Sequence, residues 1–195
     1  MKKIAIFASG RGSNARRLVE HFKGHTAANI TLIVSNKPDA PVLDMAREQG
    51  IATLIFNKKK FYNKKSVIPE LASARIDFIV LAGFLWLVPK TIVEHYPKRI
   101  INLHPALLPK YGGKGMYGMK VHQAVRAANE TETGITIHYV NEQYDEGNII
   151  FQARCTVEKN DTPEDIAQKI HELEHKYLPI ITEKLVVSSE LASDE

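Results

Sequence analysis

The sequence contains a single cysteine, Cys155, among its 195 residues. One cysteine cannot form an internal disulfide, which is typical of proteins from a reducing compartment. Cys155 ends an apolar strand-like segment, so we interpret it as a buried, inert thiol. The apolar run at the amino terminus is too short for a secretion signal, and Arg11 and a glycine-rich turn follow it. We therefore expect a cytoplasmic protein.

Long apolar runs and long basic tracts are also missing. No segment approaches the roughly 18 apolar residues of a membrane span, so we expect no membrane partner. The net charge is only +4, from 26 Lys and Arg against 22 Asp and Glu. The densest basic run, Lys58-Lys59-Lys60, is interpreted as a solvated loop, because no RNA- or DNA-binding pattern accompanies it. These features predict no nucleic-acid partner.

Metal-binding spacing is equally scarce. His171 and His175 are four residues apart on a predicted helix, but no third ligand completes a site. We therefore predict no metal.

Strand and helix signals alternate through the first half of the chain. Strands are predicted at Lys3–Ala8, Ile30–Ser35, Ala52–Phe56, Phe78–Ala82 and Arg99–His104, and helices at Asn14–Phe22, Pro41–Gln49, Asn63–Ala74 and Pro89–His95. This alternation indicates a parallel sheet with right-handed crossovers.

The second half has a different pattern. A glycine-rich loop, Lys110–Lys120, precedes a predicted helix and two strands that are joined closely enough to be antiparallel to each other. A long helix follows, which Pro179 is expected to bend or restart. The sequence thus predicts an α/β fold with a doubly wound, mostly parallel sheet and an antiparallel strand pair in the C-terminal half. We expect one domain over residues 1–187 and a polar tail over residues 188–195.

The turn after the first strand, Gly10–Ala15, matches the pattern G-x-G-x-x-A. Glycines let the backbone approach an anion closely, and the N–H groups at a helix start attract it. A plain strand-to-helix turn is the alternative. A dinucleotide site would need a carboxylate after the second strand, where the chain reads Ser35-Asn36-Lys37. NAD is therefore disfavoured, whereas Lys37 leaves NADP open.

Asn102 and His104 interrupt an apolar strand two residues apart, so both side chains point to the same face. Pro105 ends the strand there. The carboxyl end of such a strand is where open α/β sheets bind ligands. An amide can donate to a developing oxyanion, and an imidazole can transfer protons near neutral pH. Separately, a turn-forming Asn and a structural His are the simpler interpretations.

Six segments of the chain form a set: Ser9–Asn14, Val80–Phe84, Ile101–Tyr111, Gly134–His138, Asp145–Gly147 and Glu174-His175. Together they resemble the phosphoribosylglycinamide formyltransferases, a family of folate-dependent enzymes of purine synthesis. The resemblance extends from Ile4 to about Leu185. It implies a Rossmann-like formyltransferase fold and transfer of the formyl group of 10-formyltetrahydrofolate to the amine of glycinamide ribonucleotide through a tetrahedral intermediate.

The resemblance also implies residue roles. Asn102 and His104 become catalytic with Asp145 as the third partner, and a nearby carboxylate is expected to raise the pKa of His104. The phosphate is assigned to Gly12, Ser13 and Asn14, and the rest of glycinamide ribonucleotide to Glu174. The folate site is assigned to Asn102, Leu85, Trp86, Leu87 and Val88, with Lys64 facing the folate tail where the family commonly has Arg.

Simpler interpretations exist for several of these positions. Asp145 can be a turn residue, Glu174 an exposed helix carboxylate, and the segment Leu85–Val88 ordinary core. His138 either supports the site or is a core histidine, and His122 and His175 are expected to face solvent. Two features depart from some relatives. Trp86 replaces a long basic residue, and the loop Tyr111–Lys120 is longer and is predicted to be a mobile flap.

Four other functions were weighed. Methionyl-tRNA formyltransferases and formyltetrahydrofolate hydrolases share the central string, but they carry added domains for which this chain has no segment. A non-catalytic nucleotide-binding module would use only the glycine turn. A nucleotide-dependent oxidoreductase leaves Asn102 and His104 unexplained.

Overall fold

The computed structural model describes residues 1–63 and 65–188. Its strands are β1 (Lys2–Phe7), β2 (Ala28–Ser35), β3 (Ala52–Ile55), β4 (Phe78–Leu81), β5 (Ile100–His104), β6 (Glu132–Tyr139) and β7 (Ile149–Thr156). Its helices are α1 (Ser13–Phe22), α2 (Pro41–Glu48), α3 (Lys58–Phe61), α4 (Val67–Ser73), α5 (Lys90–His95), α6 (Met119–Ala127) and α7 (Pro163–Ser188).

The seven strands form one sheet in the order β3-β2-β1-β4-β5-β6-β7. The strands β1 to β5 are parallel where they pair, whereas β6 is antiparallel to both β5 and β7. The predicted α/β class and the antiparallel pair β6–β7 are therefore confirmed. From β1 the chain builds β2 and β3 toward one edge of the sheet, and then crosses back to place β4 on the other side of β1. A crevice opens at such a switch point, beyond the carboxyl ends of the strands.

Alternate side chains of each buried strand feed two separate cores. In β1, Ile4 and Ile6 pack with α1, α2, α6 and α7 on one face of the sheet. Ala5 and Phe7 pack with α3, α4 and α5 on the other face. Strands covered on both faces lack polar alternation, which explains the continuous apolar runs in β1 and β4. Both cores hold the carboxyl ends of β1, β4 and β5 rigidly.

Two predictions differ from the structure in this region. The helix predicted at Asn63–Ala74 is the shorter α4, and the lysine run interpreted as a loop belongs to the separate helix α3 that precedes it. Pro69 lies in the first turn of α4, where the missing N–H costs no helical hydrogen bond. α7 continues through Pro179 without a break, so the expected restart of the helix there was wrong. The nearby Leu178 and Ile181 are buried.

The boundary of the predicted domain stays a prediction. Ser188 belongs to α7, and residues 189–195 of the predicted tail lie outside the described residues. None of the helices in the described ranges combines the length and the apolar character that crossing a bilayer requires.

We expect Thr162→Ala to lower the free energy of unfolding by about 1 kcal/mol. The Thr162 hydroxyl accepts from the Asp165 N–H at 3.2 Å, and the Thr162 N–H donates to the Asp165 carboxylate at 2.8 Å. This reciprocal cap secures the start of α7. Urea denaturation measures the change, with the exposed Thr131→Ala as control. Equal denaturation midpoints for the two variants would contradict the role of the cap.

Candidate active site

A cleft of about 700 Å³ lies at the switch point of the sheet. It is lined by the turn after β1, the segment after β4, the end of β5, the glycine-rich loop before α6, and the loop between β6 and β7. Every predicted site residue within the described part of the chain lines this cleft: Gly12, Ser13, Asn14, Leu85, Trp86, Leu87, Val88, Asn102, His104, Asp145 and Glu174. Lys64 lies outside the described residues.

The turn after β1 presents the start of α1 to the cleft. Gly12 has a φ of 76°, and a Cβ at this position would lie 2.4 Å from the Val42 side chain. Only glycine fits this combination of backbone conformation and close packing. No side chain caps α1, so its first N–H groups, beginning at Ser13, are directed toward the cleft without a competing acceptor. The arrangement suits an anion.

Asp145 links the groups that meet at the centre of the cleft. Its Oδ1 accepts a hydrogen bond from Asn102 Nδ2 at 3.2 Å, and its Oδ2 accepts from the Gly113 N–H at 2.9 Å. Oδ2 also lies 3.4 Å from Nδ1 of His104. The predicted trio therefore meets in one place, although the amide and the imidazole come from β5 and the carboxylate comes from the loop between β6 and β7.

The amide of Asn102 is held from two sides. Its Nδ2 lies 3.0 Å from Nε2 of His138, the residue opposite it on β6. Nδ1 of His138 lies 2.8 Å from the carbonyl oxygen of Tyr139 and donates to it, so Nε2 is the acceptor for Asn102. Both hydrogens of Asn102 Nδ2 are thus engaged within the protein. His138 is buried and supports the site, as one of its two interpretations proposed.

His104 is almost fully buried, with 3% of its surface exposed. Its Nε2 donates to the backbone carbonyl of Tyr111 at 2.8 Å. The segment that follows His104 is also anchored, because the buried Thr136 hydroxyl donates to Ala106 O at 2.7 Å and accepts from Leu108 N at 3.0 Å. The imidazole therefore has a fixed position between Tyr111 and Asp145.

The expected upward shift in the pKa of His104 was wrong. Burial lowers this pKa more strongly than Asp145 and the Tyr111 carbonyl raise it. For Asp145, burial by itself raises the pKa. His138, His104 and the Gly113 N–H outweigh burial, so the pKa of Asp145 lies below its ordinary value. A neutral imidazole beside an ionised carboxylate is therefore the resting state near neutral pH.

The loop that carries Asp145 has little freedom. Asp145 has a positive φ of 57°, and a Cβ on Gly147 would lie 1.6 Å from the carbonyl oxygen of Tyr139. The glycine-rich loop contacts it from the other side, where a Cβ on Gly112 would lie 3.3 Å from Asp145 Cβ. This loop ends at Gly118, two residues earlier than predicted, because α6 begins at Met119. The two loops close tightly around the carboxylate.

The segment Leu85–Val88 forms an irregular wall of the cleft. The Leu85 N–H donates to Ser9 Oγ at 3.0 Å, and the Tyr62 hydroxyl donates to Leu87 O at 3.1 Å. Trp86 is half-buried and packs against Phe61, with ring centroids 5.4 Å apart. The wall therefore combines apolar side chains with an irregular backbone that lines the cleft, whereas Val88 itself belongs to the core.

Glu174 reaches the cleft from α7. It is only 5% exposed, so the interpretation as an exposed carboxylate was wrong. Its Oε2 accepts from Asn14 Nδ2 at 3.0 Å, which connects α7 to the turn after β1. His122 does not face solvent as expected: it is buried to 4% exposure between α6 and α7, and His175 is half-buried. Both lie on the buried side of their helices.

Sequence reasoning missed three contributors to the site. Tyr111 and Gly113 act through backbone groups, for which the residue type gives no signal. His171 contacts Glu174, and its spacing of three residues on a helix was the signal that could have indicated the contact.

The comparisons with known proteins agree with this geometry. The formyl transferase family matches residues 2–182. A chloroplastic phosphoribosylglycinamide formyltransferase from Arabidopsis thaliana is 43% identical over 187 residues; the match covers 92% of this chain and 64% of that protein, so the chain spans less than two thirds of its length. The phosphoribosylglycinamide formyltransferase of Bacillus subtilis is 38% identical, with 95% of both chains covered.

Solved structures give the same result. The crystal structure of phosphoribosylglycinamide formyltransferase from Bacillus halodurans matches with a TM-score of 0.85 and 36% identity over 95% of each chain. The chain therefore belongs to the formyl transferase family and, within it, groups with the phosphoribosylglycinamide formyltransferases. The resemblance inferred from the sequence is confirmed.

We expect Asp145→Asn to lower the pKa of His104 further. The carboxylate stabilises the protonated imidazole, so its removal leaves burial less opposed. An NMR titration of the ring protons measures this shift in both proteins. Glu146→Gln, an exposed neighbour, is the matched control and is expected to leave the titration unchanged. Identical curves for wild type and Asp145→Asn would show that the two groups do not interact.

Proposed function

We propose that the protein transfers the formyl group of 10-formyltetrahydrofolate to the amine of glycinamide ribonucleotide. The observation that carries this proposal is the meeting of Asn102, His104 and Asp145 in one cleft, between an uncapped helix start and a wall suited to a pterin. One cleft then accommodates a phosphate, a folate and the atoms that react.

Glycinamide ribonucleotide is assigned to the half of the cleft near α1. The phosphate binds the backbone N–H groups of Gly12, Ser13 and Asn14, where the helix start supplies partial positive charge. Glu174 lies beside Asn14 and accepts N–H or O–H donors from the remainder of the ligand. With the phosphate held at one end of the same cleft, we propose that the amine of this ligand reaches Asp145 and His104.

The folate is assigned to the wall of Leu85, Trp86, Leu87 and Val88, with Asn102 at its reactive end. Backbone groups of this segment pair with the pterin, while the apolar side chains cover its faces. Lys64 is proposed to attract the carboxylates of the folate tail as a single charge, because lysine lacks the planar fork of arginine.

The reaction forms a bond between the amine nitrogen and the formyl carbon, and then breaks the bond from that carbon to N10 of the folate. One proton passes from the amine to N10. His104 accepts and returns this proton, and Asp145 stabilises the transient imidazolium. Asn102 donates a hydrogen bond to the oxygen of the formyl group as negative charge develops on it. For this it gives up its hydrogen bond to Asp145, which at 3.2 Å is the longer of the two that its Nδ2 makes.

His104 reaches this role only if Nε2 leaves the Tyr111 carbonyl. We propose that the loop from Tyr111 to Gly118 moves when substrates bind and frees the imidazole. Gly113, Gly115 and Gly118 all have positive φ values, so this loop has backbone conformations that other residues rarely adopt. Movement of this kind gates chemistry in many enzymes.

The remaining proposals concern the whole protein. We propose one catalytic unit over residues 1–187 followed by a tail, small molecules as the only partners, and no metal cofactor. Among the described residues no group of three or more His, Cys, Asp or Glu is arranged for a metal ion. A cytoplasmic location is proposed because the half-buried Cys155 is a free thiol.

The direct test is incubation of the purified protein with both substrates while the deformylated folate is followed by absorbance. Turnover that requires glycinamide ribonucleotide supports the proposal. Absence of turnover, together with nicotinamide binding detected by fluorescence, would favour an oxidoreductase instead.

We expect His104→Ala to lower kcat by roughly 10²–10⁴, the usual loss for a positioned acid–base group. Steady-state kinetics measure the change, and thermal melting verifies the fold. His95→Ala, an exposed histidine at the end of α5, is the control and should retain wild-type kcat. A His104→Ala variant as fast as the control would remove the imidazole from the mechanism.

We propose that the Ser13 hydroxyl donates to the phosphate beside the backbone N–H groups, so we expect Ser13→Ala to weaken glycinamide ribonucleotide binding by about tenfold, the loss of one hydrogen bond to a charged group. Calorimetry measures this affinity, with the exposed Ser73→Ala as control. Folate affinity should not change, and it can be followed separately through Trp86, the only tryptophan in the chain. Weakened folate binding with unchanged nucleotide binding would mean that the phosphate assignment is wrong.

A further inference from the structure

His171 lies one turn before Glu174 on α7 and contacts its carboxylate. Nδ1 of His171 donates to Glu174 Oε2 at 2.8 Å, and the same oxygen accepts from Asn14 Nδ2. The His171 side chain is 56% exposed, whereas the Glu174 side chain is 7% exposed. Two donors from different helices therefore converge on one oxygen of a buried carboxylate at the edge of the cleft.

We propose that His171 is a positioning residue, which aims Glu174 at the nucleotide substrate and makes the affinity for that substrate depend on pH. This inference rests on the proposed function and extends it to a residue that lines the cleft but has no role in that proposal.

The first argument concerns geometry. With Oε2 occupied twice, the other oxygen, Oε1, is the one open to a ligand, since among the described residues no hydrogen bond reaches it. Without His171 the carboxylate keeps only the Asn14 contact and can rotate about its last bond. Orientation of a buried acceptor by a second group is a common requirement of precise sites.

The second argument concerns charge. Glu174 lies in the same cleft as the helix start assigned to a phosphate, so an unpaired carboxylate repels the substrate. A protonated His171 cancels that charge and strengthens the hydrogen bond to Oε2. A neutral His171 still donates from Nδ1 but does not cancel the charge of Glu174. The affinity for the nucleotide substrate therefore falls as the imidazole loses its proton.

The neighbouring groups favour His171 as the one that titrates. Its hydrogen bond to Glu174 raises the pKa of His171 above the ordinary value, despite partial burial. His175 stacks on His171 with ring centroids 6.0 Å apart, and His122 faces the cluster from α6. Burial lowers the pKa of both. As pH falls, His171 is therefore protonated before either neighbour. The charges of Arg17 and Glu20 act on His175 rather than on His171.

The test compares wild type with His171→Ala, His171→Asn and the control His175→Asn, which changes the stacked ring but no contact to Glu174. The side-chain amide of Asn replaces the Nδ1 donor but cannot titrate. Wild-type turnover is established first, and then KM for each substrate and kcat are measured at about pH 6 and about pH 8.5, either side of the ordinary histidine pKa. Each ratio of variant to wild type cancels the titration of the phosphate itself, which has a second pKa near 6.

For His171→Ala we expect KM for glycinamide ribonucleotide to rise about tenfold at the higher pH, where the positioning contact is lost, and about thirtyfold at the lower pH, where the charge is lost as well, with KM for the folate unchanged. For His171→Asn we expect a wild-type KM at the higher pH and a rise of about threefold at the lower pH, where only the histidine is charged. The control should match wild type. An NMR titration should also give His171 a pKa that falls in Glu174→Gln.

Three results would overturn the inference. They are an unchanged nucleotide KM in His171→Ala, an equal rise in both KM values with a lowered melting temperature, and equal pH dependence in His171→Asn and wild type. A wild type without turnover on these substrates would instead reject the proposed function, and this inference with it.

Discussion

The site depends on the carboxylate of Asp145. It accepts hydrogen bonds from Asn102 and from the Gly113 backbone, and it lies 3.4 Å from His104. A buried carboxylate is costly unless it is paired, so these contacts are required for the loop to close at all. The same contacts fix the catalytic groups relative to one another. The contacts that stabilise the loop carrying Asp145 are therefore the same contacts that set the geometry of the site.

The sheet explains how such distant segments meet. The order of the strands reverses between β1 and β4, which opens the crevice, and β5 lies next to β4. Because β6 runs antiparallel to β5, His138 lies directly opposite Asn102 and holds its amide. The reversed strand β6 thus supplies the support for Asn102.

Much of this could be predicted from the sequence, because it rests on local rules. Side chains alternate between the two faces of a strand, which places Asn102 and His104 on one face. The glycine turn after the first strand predicts the helix start that lines the cleft. The pairing of β5 with β6 could not be predicted, since it depends on which strands become neighbours. Lys64 remains a prediction, and so do the catalytic and binding roles of the other site residues.

The errors at the candidate site share a physical cause, which is burial by tertiary packing. His122 and Glu174 carry the residue types of a helix surface, but α6, α7 and the turn after β1 enclose them. The pKa of His104 was expected to rise because of Asp145, yet the desolvation of the ring outweighs that attraction. Neither effect has a signature within a few residues of the sequence. Both require the three-dimensional neighbours to be known.

The low pKa of His104 has a consequence for how the chemistry and the loop are coupled. Nε2 of His104 and Oδ2 of Asp145 both bind backbone groups of the same loop, at Tyr111 and Gly113. Displacement of that loop removes the hydrogen bond from Nε2 of His104 to the Tyr111 carbonyl, which is one of the contacts that raise the pKa of the imidazole. It also leaves Nε2 without that acceptor, so the neutral ring can take up a proton at this atom. In the proposed mechanism, movement of the loop and the supply of a base for the proton of the amine are therefore a single event.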